Sequence, residues 1–235
     1  MRLNAYAHSG RDAATRFATT LFVCLAAVSA GLASEKTIDV GAQHNTDAVV
    51  ITEITVGNLS IQAGQPLTAT QVQPVTPFQA GEDWLQQTVV HFLNRTNKTI
   101  AFFQIALVFP ETAPNGLERS AVGHVITLGR IPDVAPYSNR TGQNVRQTNA
   151  PIAFAAGTTM TMALADYLAP IQAGLNLPLS NLTKCSIRRT IVYFDDGMRW
   201  DGEYYATPDT SHPGAFTKLE PRYFPGIPSW PPKVQ

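Results

Sequence analysis

The sequence predicts an all-β fold: a two-sheet antiparallel sandwich with one short helix inserted. Three observations predict it. Ala101, Phe103, Ile105, Leu107 and Phe109 alternate with Ile100, Phe102, Ala106 and Val108. A strand here is apolar on both faces and belongs in the middle of a sheet. Further short alternating runs recur along the chain, punctuated by Gly, Pro, Asn and Asp. No succession of strand, helix and strand calls for a parallel α/β sheet.

The elements follow in order. Residues 50–56 (VITEITV) alternate as a strand, and 59–61 and 67–75 offer two shorter ones around Gly64 and Pro66. Residues 79–83 are a turn leading to Trp84. Residues 89–109 read as a hairpin, its strands joined by the polar turn Asn94-Arg95-Thr96-Asn97-Lys98. Residues 124–131 and 158–163 are two more strands. Between them, 132–151 form a polar loop of a length that compact domains use for binding or leave without fixed structure.

Residues 164–175 hold the helix, because Leu164, Tyr167, Leu168, Ile171 and Leu175 make one apolar stripe. It starts near Asp166, with Pro170 in the first turn and Asp166 as a cap, or at Pro170 itself, and Gly174 ends it. Residues 187–205 read as a second hairpin about Asp195-Asp196-Gly197. There Met198, Trp200, Gly202 and Tyr204 share one face, which turns Trp200 inward.

The ends differ from the middle. Arg2, Arg11 and Arg16 precede an apolar run over 17–30 that exits through small residues, the layout of a secretory signal. The division expected is a signal peptide over 1–33, an extended leader over 34–49, the sandwich over 50–206 and a proline-rich tail over 207–235. Export to the periplasm or outside the cell follows, with an uncleaved amino-terminal anchor as the alternative and no membrane span once cleavage occurs. Cleavage also removes Cys24 and leaves Cys185 without a partner for an internal disulfide. The formal charge is zero, with 17 basic and 17 acidic residues. Nothing in that balance points to nucleic acid.

Two patterns resemble a known kind of protein. Val90-x-Phe92-x-Asn94-x-Thr96-x-Lys98-x-Ile100 resembles a hairpin of bacterial secreted immunoglobulin-like domains, and Val192-x-Phe194-x-Asp196-Gly197-x-x-Trp200 resembles their closing hairpin. The resemblance implies an immunoglobulin- or fibronectin-III-like sandwich. It implies no catalytic residue. The helix, the long loop and the tail depart from a minimal domain of that kind.

The chemistry-bearing residues are scattered. His44, His91, His124 and His212 have no ligand spacing, and Asp195, Asp196, Asp201 and Glu203 lack the ladder of a calcium loop, so neither a metal nor a cofactor is expected. Cys185 reads as a small buried apolar residue rather than a nucleophile. The sequons at Asn58, Asn94, Asn97, Asn139 and Asn181 read as turn and loop residues. For ligands, the 132–151 loop offers Tyr137, Arg140 and Arg146, a set suited to an anion or a sugar. For a protein partner, the tail offers Tyr223, Phe224 and Trp230 as a docking strip. The expected function is therefore that of an exported, non-catalytic binding or structural domain for an unknown protein or glycan. The alternative is a carbohydrate-binding module using Trp84, Trp200 and Trp230, and the third reading is a hydrolase with a loop-built site.

Overall fold

The computed structural model describes residues 33–44, 46–61, 76–114, 121–133, 135, 150, 152–212 and 214–219. The fold is mostly β, with two sheets rich in antiparallel pairs and one short α-helix. The strands are β1 (Ser34–Asp39), β2 (Val49–Val56), β3 (Leu59–Ile61), β4 (Pro77–Ala80), β5 (Thr88–Asn94), β6 (Ile100–Phe109), β7 (Val122–Gly129), β8 (Thr159–Ala163), β9 (Lys184–Phe194), β10 (Arg199–Trp200), β11 (Tyr205–Pro208) and β12 (Phe216–Lys218).

The smaller sheet runs β3-β2-β5-β8 and is antiparallel throughout. The larger is organised about β9. One edge of β9 pairs with β6, which carries β7 beyond it. The other edge is shared. Its first residues pair in parallel with β1, which carries β4, and its last residues pair with β10, which continues into β11 and β12. Between β1 and β10 no strand among the described residues lies beside that edge of β9.

The inner faces meet in one core. Phe92 of the small sheet packs edge to face on Phe103 of the large one, 5.1 Å between ring centres, surrounded by Ile51, Ile54, Val90, Ile105, Leu107 and Val192. β6 lies inside its sheet as its sequence predicts. Its inner face is fully buried, while Gln104, Ala106 and Val108 on the outer face are half-buried.

The first expected hairpin is not one. β5 and β6 belong to different sheets, and 95–99 carry the chain across the sandwich. Asn94 holds the crossing. Its buried amide donates to the carbonyls of Lys98 (2.8 Å), Phe154 (2.9 Å) and Ala155 (3.1 Å), and its Oδ1 accepts from the backbone N–H and the hydroxyl of Thr96. A two-strand turn has no use for so many local acceptors, whereas a chain leaving one ladder for another must satisfy the groups it strands.

The second hairpin forms between β9 and β10 about Gly197 (φ 85°), but its return strand stops after Trp200. Asp201 Oδ1 accepts from the N–H of Tyr204, Gly202 takes φ 96°, and the chain turns again. That extra turn buries Tyr205, rather than Tyr204, beside Trp200. Trp200 itself points inward and is 1% exposed.

The boundaries move outward. The stretch expected as a leader is built into the fold, since β1 lies between β4 and β9. Buried Lys36 there donates to the Leu182 carbonyl, which also accepts from the Trp84 indole. At the other end, Asp209 Oδ1 accepts from the N–H groups of Ser211 and His212, β12 pairs with β11 and Phe216 packs on Tyr193. Sheet pairing therefore reaches Lys218, and the tail cannot begin at 207. Residues 164–167 form a 3-10 turn that runs into α1 (Leu168–Gly174), with Pro170 in its first turn. Asp166 makes no capping hydrogen bond. The strand expected over 67–75 lies outside the described residues.

Asn94→Ala removes the amide's bonds to three carbonyls and the acceptor of Thr96, and is expected to cost about 3 kcal/mol in denaturant unfolding. Asn94→Asp should recover only the part that comes from accepting from Thr96, because a carboxylate offers the carbonyls no donor.

Candidate functional site

The gap along β9 is where the chemistry gathers, and a register slip against β6 falls within the same stretch. Gln104 of β6 pairs with Ile191 and Ile105 pairs with Arg189, so Thr190 is the extra residue of a bulge, its hydroxyl bonded to the Gln104 carbonyl. A bulge reverses which face the later residues take. Cys185 and Ile187 are buried before it, Val192 and Phe194 after it. Arg189 falls on the inward side and its side chain is only 6% exposed.

A buried guanidinium needs acceptors. Ala42, Gln43, Asp47 and Val49 supply them. Arg189 Nη1 donates to Asp47 Oδ2 (2.9 Å), Gln43 Oε1 (2.9 Å) and the Val49 carbonyl (3.3 Å), and Nη2 donates to the Ala42 carbonyl (2.7 Å). Asp47, 3% exposed at its side chain, also accepts from the His44 N–H. Gln43 pairs with Ile51 like a short strand, its Oε1 taking the Ile51 N–H and its Nε2 giving to the Ile51 carbonyl. Arg95 donates to the His44 carbonyl and the Tyr205 hydroxyl to the Thr46 carbonyl. Burial raises the Asp47 carboxyl above its ordinary value even with Arg189 and Arg95 opposing it, and burial lowers Arg189.

Arg188 points the other way and is 43% exposed. Its Nη2 holds Asp39 Oδ2 at 2.7 Å, while Asp39 Oδ1 takes the Gly41 N–H. Burial opposes ionisation of Asp39, but Arg188 and the Gly41 N–H outweigh it and leave the carboxyl below its usual range. Gly41 has φ 64°, and a Cβ there would lie 2.8 Å from Arg188 Nη1, so a side chain at this position would displace the guanidinium.

Gly41, Ala42, Asp47, Arg188 and Arg189 line a hollow of about 340 Å³, to which Val40, His44, Trp200 and Gly202 also contribute. Arg188 Nη1, Arg189 Nε and Trp200 Nε1 are shielded from solvent and have no hydrogen-bond acceptor among the described residues.

The residues singled out from sequence do not come together here. Tyr137, Arg140, Arg146, Tyr223, Phe224 and Trp230 all lie outside the described residues. Trp84 is buried and bonded to Leu182, and Trp200 forms part of the core. Cys185 is buried and free, and burial pushes its thiol well above the ordinary value. His91 faces Thr161 and lies mid-strand. Asp209, Ser211 and His212 do cluster, but both Ser211 and Asp209 meet the same ring nitrogen, Nδ1, in an exposed turn. A relay needs opposite nitrogens. Among the described residues, no three His, Cys, Asp or Glu are placed to hold a metal ion.

The adjacent Arg188-Arg189 pair was the sequence signal for this site. Strict alternation sends one of two neighbouring strand residues inward, and here both candidates were arginine.

Asp47→Ala leaves Arg189 buried without its counter-charge. Chemical denaturation should show a loss of about 3–5 kcal/mol, far above that of an exposed pair.

Compared with protein-family models, with curated proteins and with solved structures, the chain matches none.

Proposed function

We propose that this chain is an exported, non-catalytic immunoglobulin-like sandwich that works by holding a ligand in the hollow between β1 and β10. One observation carries the binding reading: a hollow of about 340 Å³ is lined by the charged and polar side chains of Asp47, Arg188, Arg189 and His44, the kind of polar set that fixes a small ligand's orientation. The immunoglobulin-like reading is supported by the two motifs about Asn94 and Asp196, each at a chain reversal of the sandwich. Export is supported by the Arg-flanked apolar run, and by β1 beginning at Ser34, directly after the small residues that close it. A sugar platform on Trp84 or Trp200 is not proposed, because neither ring presents a face to solvent.

A thermal-shift screen over sugars, peptides, amines, and organic and inorganic anions tests the binding reading. At least one class is expected to raise Tm saturably, as a ligand of the native state must. Ala42→Phe, which fills the mouth of the hollow from an exposed position, should abolish the rise. A flat response to every class, or a rise that Ala42→Phe leaves intact, would sink it.

Export is checked separately by sequencing the amino terminus of the native protein. A start near Gly31 or Ser34 is expected, and intact Met1 in the cytosol would refute cleavage.

A further inference from the structure

We infer that the open edge of β8 is a two-fold interface: β8 of a second copy of this chain pairs with it antiparallel about Thr161 and joins the two copies of the smaller sheet into one.

The sheet edges are not alike. Among the described residues the sheets end in β3, β4, β7, β8 and β12. An open edge is a template for another chain, and proteins blunt it with shortness, charge or proline. β3 and β12 are three residues each, and β12 carries Lys218. β4 has four residues and opens on Pro77. β7 is longer and uncharged, but Thr127 on it is already engaged. β8 is Thr159-Met160-Thr161-Met162-Ala163, five residues with neither charge nor proline.

The β8 backbone is turned to receive a strand. The Asn94 N–H donates to the Thr158 carbonyl (3.0 Å), so 94 and 158 are a hydrogen-bonded pair in line with the β5–β8 ladder. Antiparallel pairs alternate between bonded and non-bonded. His91 with Thr161, Leu93 with Thr159 and Val89 with Ala163 are then non-bonded pairs. The N–H and carbonyl groups of Thr159, Thr161 and Ala163 therefore point away from β5, toward the open edge. Thr159 and Thr161 are themselves exposed.

The occupant follows from the sequence of the strand, which reads nearly alike in both directions. Turned about a two-fold axis at Thr161, Thr159 meets Ala163, Met160 meets Met162 and Thr161 meets itself. The outer face then joins small and hydroxyl-bearing side chains, and threonine pairs are favourable across strands. The inner face joins thioethers in continuity with the core, since Met162 is buried there and Met160 packs against it. Three facing pairs exchange two backbone hydrogen bonds each, and no like charges oppose one another across the axis. Such self-complementarity is what a two-fold contact between identical chains requires.

The test is sedimentation velocity on the full chain from about 10 µM to about 1 mM, because so short a pairing belongs with small, transient interfaces. A reversible equilibrium between monomer and dimer is expected. Thr161→Lys, at an exposed position, sets like charges against each other at the axis and should weaken association by about tenfold or more, with the cooperative melt retained. Thr161→Glu should do the same. Mixing the two variants should restore association as a heterodimer, because opposite charges then face each other.

A dimer that Thr161→Lys leaves intact, or an association that mixing does not restore, overturns the inference. A chain that stays monomeric over the whole range overturns it too. Hydrogen exchange at the Thr161 amide then gives the reason: fast exchange leaves the edge open to a strand of a different protein, and slow exchange means that the edge is closed within its own chain.

Discussion

A single buried cation, Arg189, sets most of the local architecture. Alternation with Cys185 and Ile187 turns it toward the interior, just before the bulge at Thr190, and an unpaired guanidinium there is untenable. Ala42, Gln43, Asp47 and Val49 serve as its counter-ion and acceptor set. Gln43 and Asp47 are buried polar residues for that reason, and Val49 begins β2 at a point already fixed by the same guanidinium. The gap between β1 and β10 is thus a lined hollow rather than a missing strand. Replacing such a pair by apolar residues often leaves a protein as stable or more so, so its retention fits a role for the cation beyond packing.

The same logic explains what could be read in advance. Apolar residues on both faces identified β6 as an interior strand, and inward alternation placed Trp200 in the core. β2, β7, β8 and the short helix were visible for the same reason. Parity failed wherever one extra residue entered a strand. Thr52 in β2, Ala101 in β6 and Thr190 in β9 each sit at a register shift. Nothing in their side chains marks them, since any residue can be the one left over. The inward Arg189 was hidden by such a shift, and with it the site.

Turn chemistry was legible as a break and illegible as a destination. Asn94-Arg95-Thr96-Asn97-Lys98 announces a reversal, yet the acceptors that make it a crossing come from Phe154 and Ala155, some sixty residues on. Asp201-Gly202 was absorbed into a strand because the run about it alternates, although Asp-Gly also carries a turn. In β1, polar composition masked a strand. Lys36 there is buried by a long apolar stem whose ammonium reaches Leu182, so a residue counted as polar contributes mostly hydrocarbon to the interior.

The parallel pairing of β1 with β9 has a consequence for how the chain acquires its structure. Ile38 sits opposite Cys185, so the first strand cannot close its ladder until nearly the whole chain has been delivered. Pairing over such a separation is slow, because the loop entropy is lost before the contacts are gained. β1 is made early and waits. Until it docks, β4 and the first residues of β9 are open edges able to pair with a neighbouring molecule. Productive folding of this sandwich then becomes a race between late insertion of its own first strand and capture of those edges by another copy, and the rate of docking of β1, rather than the final stability, decides how much protein survives.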